Sequence, residues 1–413
     1  MEPLLSIETL ISAEHNDTEA AGRRPGLLGA LEPQPNDPLL SLIAAFHRDP
    51  RPTKIDLGVG VYRDATLNTP VMRAVKAAEG ILAATQTTKG YIGSEGDVGF
   101  LEQLRPIVFG DMAAADRLAG VQTPGGTGAV RLAADLIVAT GRDARIWVGT
   151  PTWTNHAPIF TAARLGIENY RYFDVASQTI RFDEMMAAFG RARAGDVVLL
   201  HGCCHNPAGA DLDPAQWRAV SDIVARRGLV PLVDLAYQGF GHGLDADAAG
   251  ARMVLEAAGE GLIAYSCDKN FGLYRERTGA LFALCARPGD RSLLLSNMLS
   301  LVRSNWSMPP DHGAAVARTV LTSRELRALW HGELDAMRDR IVAMRAQLAA
   351  SAPDLGFIVG QHGMFSMLPL TPAQIGRLRD EHAIYMAGSG RINVAGLTPE
   401  TVGRFADALA SVR

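Results

Sequence analysis

The sequence predicts an α/β fold: a large domain with a mostly parallel sheet flanked by helices, plus a smaller α+β domain. Two patterns carry that prediction. Short apolar runs without polar alternation, Ile146-Trp147-Val148, Val197 to Leu200, Leu229 to Val233, Leu262 to Tyr265 and Gly279 to Cys285, read as strands buried on both faces. Helical patterns lie between them, and strand–helix–strand alternation argues for a parallel sheet covered by helices.

Residues 1–30 are mixed and weakly patterned and read as a mobile extension. From Asp37-Pro38 onward, Leu39, Leu40, Leu42, Ile43 and Phe46 make a short helix, and Lys54 to Tyr62 reads as a strand entering a glycine-shaped turn. Asp213-Pro214 starts a helix, with aspartate as N-cap and proline at the first position. Its Trp217, Val220, Ile223 and Val224 share one face. Thr322-Ser323-Arg324-Glu325 is a capping-box pattern, after which Leu334, Met337, Ile341, Met344 and Leu348 step along a long amphipathic helix. Phe357-Ile358-Val359 reads as a strand, and a final helix covers residues 398–412. The small domain is therefore placed at residues 31–70 and 337–413, and the large one at 71–336.

Composition narrows the function. With 413 residues, 47% of them apolar and 20% charged, the chain has the makeup of a protein with a large core. A formal charge of -4 gives no support for nucleic acid or an anionic membrane as partner. No apolar run approaches the roughly 18 residues of a membrane span, and the start lacks the pattern of a signal peptide. Four cysteines are no disulfide framework, so the expectation is a cytoplasmic protein.

The residues with chemistry sit just past strand ends. Lys269 follows the Leu262–Tyr265 run, with Ser266 before it and Arg277 eight residues after. A lone lysine there is ordinarily solvated, but one beside a hydroxyl and an arginine suggests a Schiff base next to a phosphate. Pro124-Gly125-Gly126-Thr127-Gly128 enters an apolar helix, and backbone N–H groups at a helix N-terminus suit a phosphate; a tight turn is the plain alternative. His201-Gly202-Cys203-Cys204-His205-Asn206-Pro207 invites a metal, yet adjacent cysteines share one tetrahedral ion poorly, so Asn206 presenting an amide into a cleft is preferred and no metal is expected. Asp234, with Tyr237 after it, stands where open α/β sheets bind ligands, and Trp153 can stack on a flat ring or pack in the core. A lysine, an acid, an amide, an aromatic plate and a phosphate cradle together fit pyridoxal 5'-phosphate.

Six stretches carry a resemblance: Asp56 to Tyr62, Thr123 to Gly128, His201 to Pro207, Asp234 to Phe240, Lys269 to Arg277, and Ser389 to Gly396. With them the chain closely resembles the class I aminotransferases, in the aspartate/aromatic amino acid branch of the fold-type I pyridoxal phosphate enzymes, from about residue 33 to 412. The resemblance implies that Lys269 bonds the cofactor as an imine and moves the proton. Asp234 would pair with the ring nitrogen, supported by His156, while Tyr237 and Asn206 bind the ring oxygen and Trp153 stacks on the ring. Gly125, Gly126, Thr127, Ser266 and Arg277 would hold the phosphate, joined by Tyr91 of the second subunit of a homodimer. Arg391 would grip the substrate α-carboxylate near Gly60, Trp153 and Asn206, and Arg303 would cross the dimer interface to a side-chain carboxylate.

Several residues depart from the family pattern. Met308 and Trp306 replace asparagine and tyrosine of the aspartate-specific members, Arg275 to Gly279 and Ile384 to Met386 look like the bacterial aromatic enzymes, and Ala208 replaces a threonine. Asp268 stands where the family has serine. The implied reaction is ping-pong transfer of an amino group from aromatic amino acids, and aspartate, to 2-oxoglutarate. The alternatives are an aspartate aminotransferase, or a cofactor-binding protein impaired by Asp268.

Overall fold

The computed structural model describes residues 26–34, 38–112 and 116–413. Most of the extension expected at residues 1–30 lies outside the described residues; Leu27–Ala30 form a single 3-10 turn. Asp37 also lies outside them, and the short helix runs over Pro38–Arg48.

Seven strands form the central sheet: β1 (Leu118–Pro124), β2 (Arg145–Thr150), β3 (Gly166–Arg171), β4 (Val197–His201), β5 (Val230–Leu235), β6 (Gly261–Ser266) and β7 (Thr278–Leu284). Their spatial order is β1-β7-β6-β5-β4-β2-β3. β7 runs antiparallel to both neighbours, and the other pairings are parallel. Alternate side chains enter different cores, Val197 and Leu199 on one face, Val198 and Leu200 on the other. Both faces being dry explains the non-alternating runs. β3 shows no such run because it is an edge strand, and most of its residues are at least partly exposed.

Helices α1 (Gly125–Ala139), α2 (Pro214–Arg227), α3 (Arg291–Asn305) and α4 (Arg324–Ser351) complete the layers. α1 and α3 bury Ala129, Ile137, Met298 and Val302 against one face. α2 buries Trp217, Val220, Ile223 and Val224 on the other, joined by Trp330, Leu334, Met337 and Ile341 of α4. Each such aliphatic side chain contributes about 1.5–3 kcal/mol by leaving water. α2 starts as expected: Asp213 accepts from the N–H groups of Ala215 and Gln216, and the Gln216 side chain accepts from Asp213 N–H.

Two expectations need correction. The cap of α4 is Ser323, not Thr322: its hydroxyl accepts from Leu326 N–H, and Glu325 bonds that hydroxyl instead of closing a capping box, because Thr322 still belongs to the preceding helix. Phe357-Ile358-Val359 is not a strand but part of a 3-10 helix over Pro353–Gly360. Pro353 favours a helical start, and Leu355 and Ile358, three apart, are the residues buried there.

A third core gathers Ile55 and Leu57 with Met344, Leu348, Ile384, Ile392, Phe405 and Leu409. The two-residue strand Ile55–Asp56 pairs in parallel with Ile384–Tyr385, which joins segments more than 300 residues apart. The expected boundary at residue 337 falls inside α4, whose first half packs in the same core as α2 and whose second half packs in this third core. Among the described residues no helix is long and apolar enough to cross a membrane.

Candidate active site

Strand register brings the chemistry to one edge of the sheet. Asp234, in β5, lies beside His201 at the end of β4, and Ser266, ending β6, lies beside Gly279 of β7. Gly279 is obligatory: a Cβ there would sit 2.5 Å from Tyr265 O and 2.6 Å from Gly125 C. Removing that Cβ lets β7 press the first turn of α1 against the end of β6. Gly125 takes φ +69°, and its missing Cβ leaves room for the Arg277 guanidinium. Arg277 itself adopts φ +52°, a left-handed conformation that non-glycine residues hold only when the surroundings fix it.

Lys269 stands three residues past β6, and its loop is pinned on both sides. Asn270 Nδ2 donates to Tyr265 Oη at 2.8 Å and to Gln238 O at 3.2 Å, and Asn270 O accepts from Trp330 Nε1 at 2.7 Å. Phe271 stacks on Trp330, ring centres 4.5 Å apart. The backbone is fixed, while Lys269 Nζ lies 3.8 Å from Asp268 Oδ2 and 5.4 Å from the centre of the Tyr237 ring. Burial pulls its amine below the ordinary lysine value, with Arg277 adding to that and Asp268 and Asp234 opposing it.

Around Lys269 a cleft of about 450 Å³ of atom-free space, mouth included, is lined by Gly126, Thr127, Trp153, Asn206, Asp234, Tyr237 and Ser266, together with His201, Ala236 and Asp268. Burial pushes the Asp234 carboxyl up, but the His156 hydrogen bond (Nε2 to Oδ2, 3.1 Å), the His156 charge and Lys269 hold it below its usual value. Asn206 Nδ2 donates to Tyr237 Oη at 3.3 Å. Trp153 meets His156 edge-on, with ring centres 5.1 Å apart.

Arg391 borders this cleft. Nη2 donates to Gly58 O at 2.7 Å, Nη1 reaches Asn206 Oδ1 at 3.4 Å, and the guanidinium lies 4.6 Å from the centre of the Phe365 ring. Its Nε is buried and finds no partner among the described residues. Gly60 stands against the same Phe365 ring, in a loop fixed by Asn393 Nδ2, which donates to Val59 O and Val61 O at 2.7 Å each.

Two expected residues are not brought to this cleft. Tyr91 is 96% exposed and Arg303 projects from the end of α3. The Tyr91 loop is joined to the turn that follows α3, since Ile92 N–H donates to Met308 Sδ at 3.2 Å and Ser94 Oγ to Ser307 O at 3.0 Å, so both side chains belong to one surface region.

Sequence reasoning missed a relay behind Asp234. Thr152 Oγ1 bridges His156 Nδ1 at 2.8 Å and His201 Nε2 at 2.9 Å. Burial pushes His201 down to about 3, so it is neutral here. Cys203, Cys204 and Asp247 do converge, but both Asp247 oxygens already accept backbone N–H groups from Gly239, Gly241 and His242. Burial also pushes the Cys204 thiol up to about 12, which opposes the thiolate a metal needs. A larger cavity lies at the opposite edge of the sheet, past Val197, Val230 and Gly261, away from all of these groups.

The residues present fit pyridoxal 5'-phosphate. A Cβ on Gly126 would come within 3.0 Å of Ser266 Cβ, so glycine keeps open a cradle of backbone, hydroxyl and guanidinium donors. Asp234 and Lys269 face one another across the same cleft.

Comparison with known proteins agrees with this geometry. Residues 52–409 match the family "Aminotransferase class I and II". The chain is 54% identical over 387 residues to the tyrosine aminotransferase of Rhizobium meliloti (strain 1021), covering 92% of this chain and 99% of that one. To the aspartate aminotransferase of Escherichia coli (strain K12) it is 43% identical, covering 92% and 98%. The crystal structure of an aromatic-amino-acid aminotransferase from Burkholderia pseudomallei, covalently bound to pyridoxal phosphate, superposes with a TM-score of 0.91 at 40% identity, covering 94% of this chain and 99% of that one.

Proposed function

The chain belongs to the class I and II aminotransferases, and from that premise we propose that it moves the amino group of aromatic amino acids, and of aspartate, to 2-oxoglutarate with pyridoxal 5'-phosphate as cofactor. The observation that carries the proposal is the convergence of Lys269, Asp234, Asn206 and Tyr237 in one cleft with Arg391 at its border. Bound there, the cofactor supplies an electron sink for the pair released when a substrate Cα–H bond breaks.

The chain's own residues do the rest. Gly125, Gly126, Thr127, Ser266 and Arg277 hold the phosphate, and Trp153 covers the flat ring. Asp234, held ionised by His156, keeps a proton on the ring nitrogen, while Tyr237 and Asn206 bind the ring oxygen. Lys269 Nζ, its basicity lowered by burial, would take the proton from the substrate Cα as base and deliver it as acid at the other end of a 1,3-shift. Arg391 binds the α-carboxylate through two parallel hydrogen bonds, for which its partnerless Nε is available. Donor and acceptor use the site in turn, which is ping-pong transfer.

An aromatic donor is favoured by Met308 and Trp306, which make the wall beside Arg303 more apolar, and by the higher identity to the tyrosine than to the aspartate enzyme. The exposed Tyr91 loop, joined to the turn after the helix that carries Arg303, supports a homodimer in which both residues serve the partner's site. The third core supports a small domain built from the segment around Ile55 and from the chain beyond Met344, within the proposed 31–70 and 337–413, beside a large one of 71–336. Unpaired cysteines among the described residues suit a cytoplasmic setting.

The test is absorbance and kinetics on one preparation. A bound-cofactor band that bleaches with glutamate and is lost in Lys269→Ala supports the proposal; no band at saturating cofactor sinks it. A clear aspartate preference in kcat/KM over phenylalanine and tyrosine would reverse the choice of donor.

A further inference from the structure

Asp268 is buried, and its Oδ2 accepts from Arg277 Nη1 at 2.6 Å. The same Nη1 donates to Tyr274 O at 3.0 Å, so one arm of the fork is committed before any ligand arrives. Asp268 Oδ1 is buried with no hydrogen-bond partner among the described residues. Its own N–H donates to Ser266 Oγ at 3.2 Å, and Lys269 Nζ lies 3.8 Å from Oδ2. A fixed negative charge thus contacts the cation, and through its backbone the hydroxyl, that the proposed function assigns to the phosphate.

Resting on that reading, we infer that Asp268 competes with the cofactor's phosphate for Arg277. With Asp268 in place the Arg277 charge is cancelled locally, and the donors left in full are the first turn of α1, Thr127 and Ser266. A phosphate entering there meets a carboxylate that cannot retreat to water, and like charges at that range oppose each other strongly in a buried setting. The chain therefore holds the phosphate end weakly and leaves more of cofactor retention to the covalent bond at Lys269.

The experiment measures ligand affinity, not turnover. The full chain, freed of cofactor, is titrated calorimetrically with pyridoxal 5'-phosphate, inorganic phosphate and pyridoxal. Asp268→Asn removes the charge at constant shape, and Asp268→Ser, measured in parallel, covers the case in which the first does not fold. Both variants should bind the two phosphate-bearing ligands at least about tenfold more tightly, about 1.4 kcal/mol, with pyridoxal unchanged. Equal or weaker phosphate binding in the variants would overturn the inference, as would an equal gain for pyridoxal. A parent chain that binds no pyridoxal 5'-phosphate, while the variants still gain affinity for inorganic phosphate, would instead remove the proposed function and leave the competition standing.

Discussion

Replacing Arg391 with lysine keeps one positive charge and removes the planar fork. In the structure Nη2 is anchored on Gly58 O at 2.7 Å, Nη1 makes a long contact with Asn206 Oδ1 at 3.4 Å, and Nε is partnerless. The group is held by one strong bond and has donors to spare for a carboxylate. A lysine ammonium at this site reaches either Gly58 O or the substrate, and it gives up the planar packing over Phe365. Each hydrogen bond to a charged group is worth about 1.5–3 kcal/mol, and the cation–π contact adds about 0.5–1 kcal/mol. The expected loss is therefore about 2–4 kcal/mol, or roughly 30- to 1,000-fold in kcat/KM. Because every donor carries an α-carboxylate, Arg391→Lys should lose the same factor with tyrosine, phenylalanine and aspartate. A loss below about threefold, or one confined to aspartate, would refute the assignment of Arg391 to that carboxylate.

Arg303→Leu should cut kcat/KM for aspartate by about 100-fold or more while leaving phenylalanine within about tenfold. Mixed and reassembled with Lys269→Ala, it should regain aspartate turnover that neither variant shows alone, because one site of the hybrid would be intact; no recovery counts against a shared site. Trp330→Phe leaves Asn270 O without its buried donor, and the urea midpoint should fall by an amount equivalent to about 1–3 kcal/mol; an unchanged midpoint means that the lysine loop is held otherwise. His201 is pushed down to about 3 by burial, so the native state keeps it neutral where the unfolded chain takes up a proton. That contribution is whole above about pH 6.5 and is lost as the pH falls from there toward 3. The urea midpoint should therefore drop between about pH 7.5 and 5, and drop less in His201→Asn; equal drops would clear His201.

The sheet was legible where strands are dry on both faces, since Val197 to Leu200 and Leu262 to Tyr265 can be apolar throughout only in such a place. β3 escaped because an edge strand needs no apolar run. Lys269, Asp234 and Asn206 were readable because each lies at the end of a strand or within a few residues after it, so local pattern alone puts them at the ligand edge. Thr152 with His201, and Trp330 with Asn270, were not, because those bonds join residues 49 and 60 apart and no local signal links them. Phe357 to Val359 misled because three apolar residues in a row do not distinguish a strand from a single turn of 3-10 helix. Tyr91 and Arg303 were legible only through family resemblance, since within one chain neither has a place in the cleft.

The bond between Arg391 and Gly58 joins residues 333 apart, and Asn393 fixes the Gly60 loop across a similar span. During synthesis the segments that line the lysine cleft, up to Lys269, leave the ribosome well before Arg391 does. Until the closing stretch of the chain emerges, the Gly58–Gly60 loop lacks the bonds from Arg391 and Asn393, and the grip proposed for the α-carboxylate has no guanidinium. On the proposed role of Arg391, a chain terminated before it has no means of seating an amino acid through that grip.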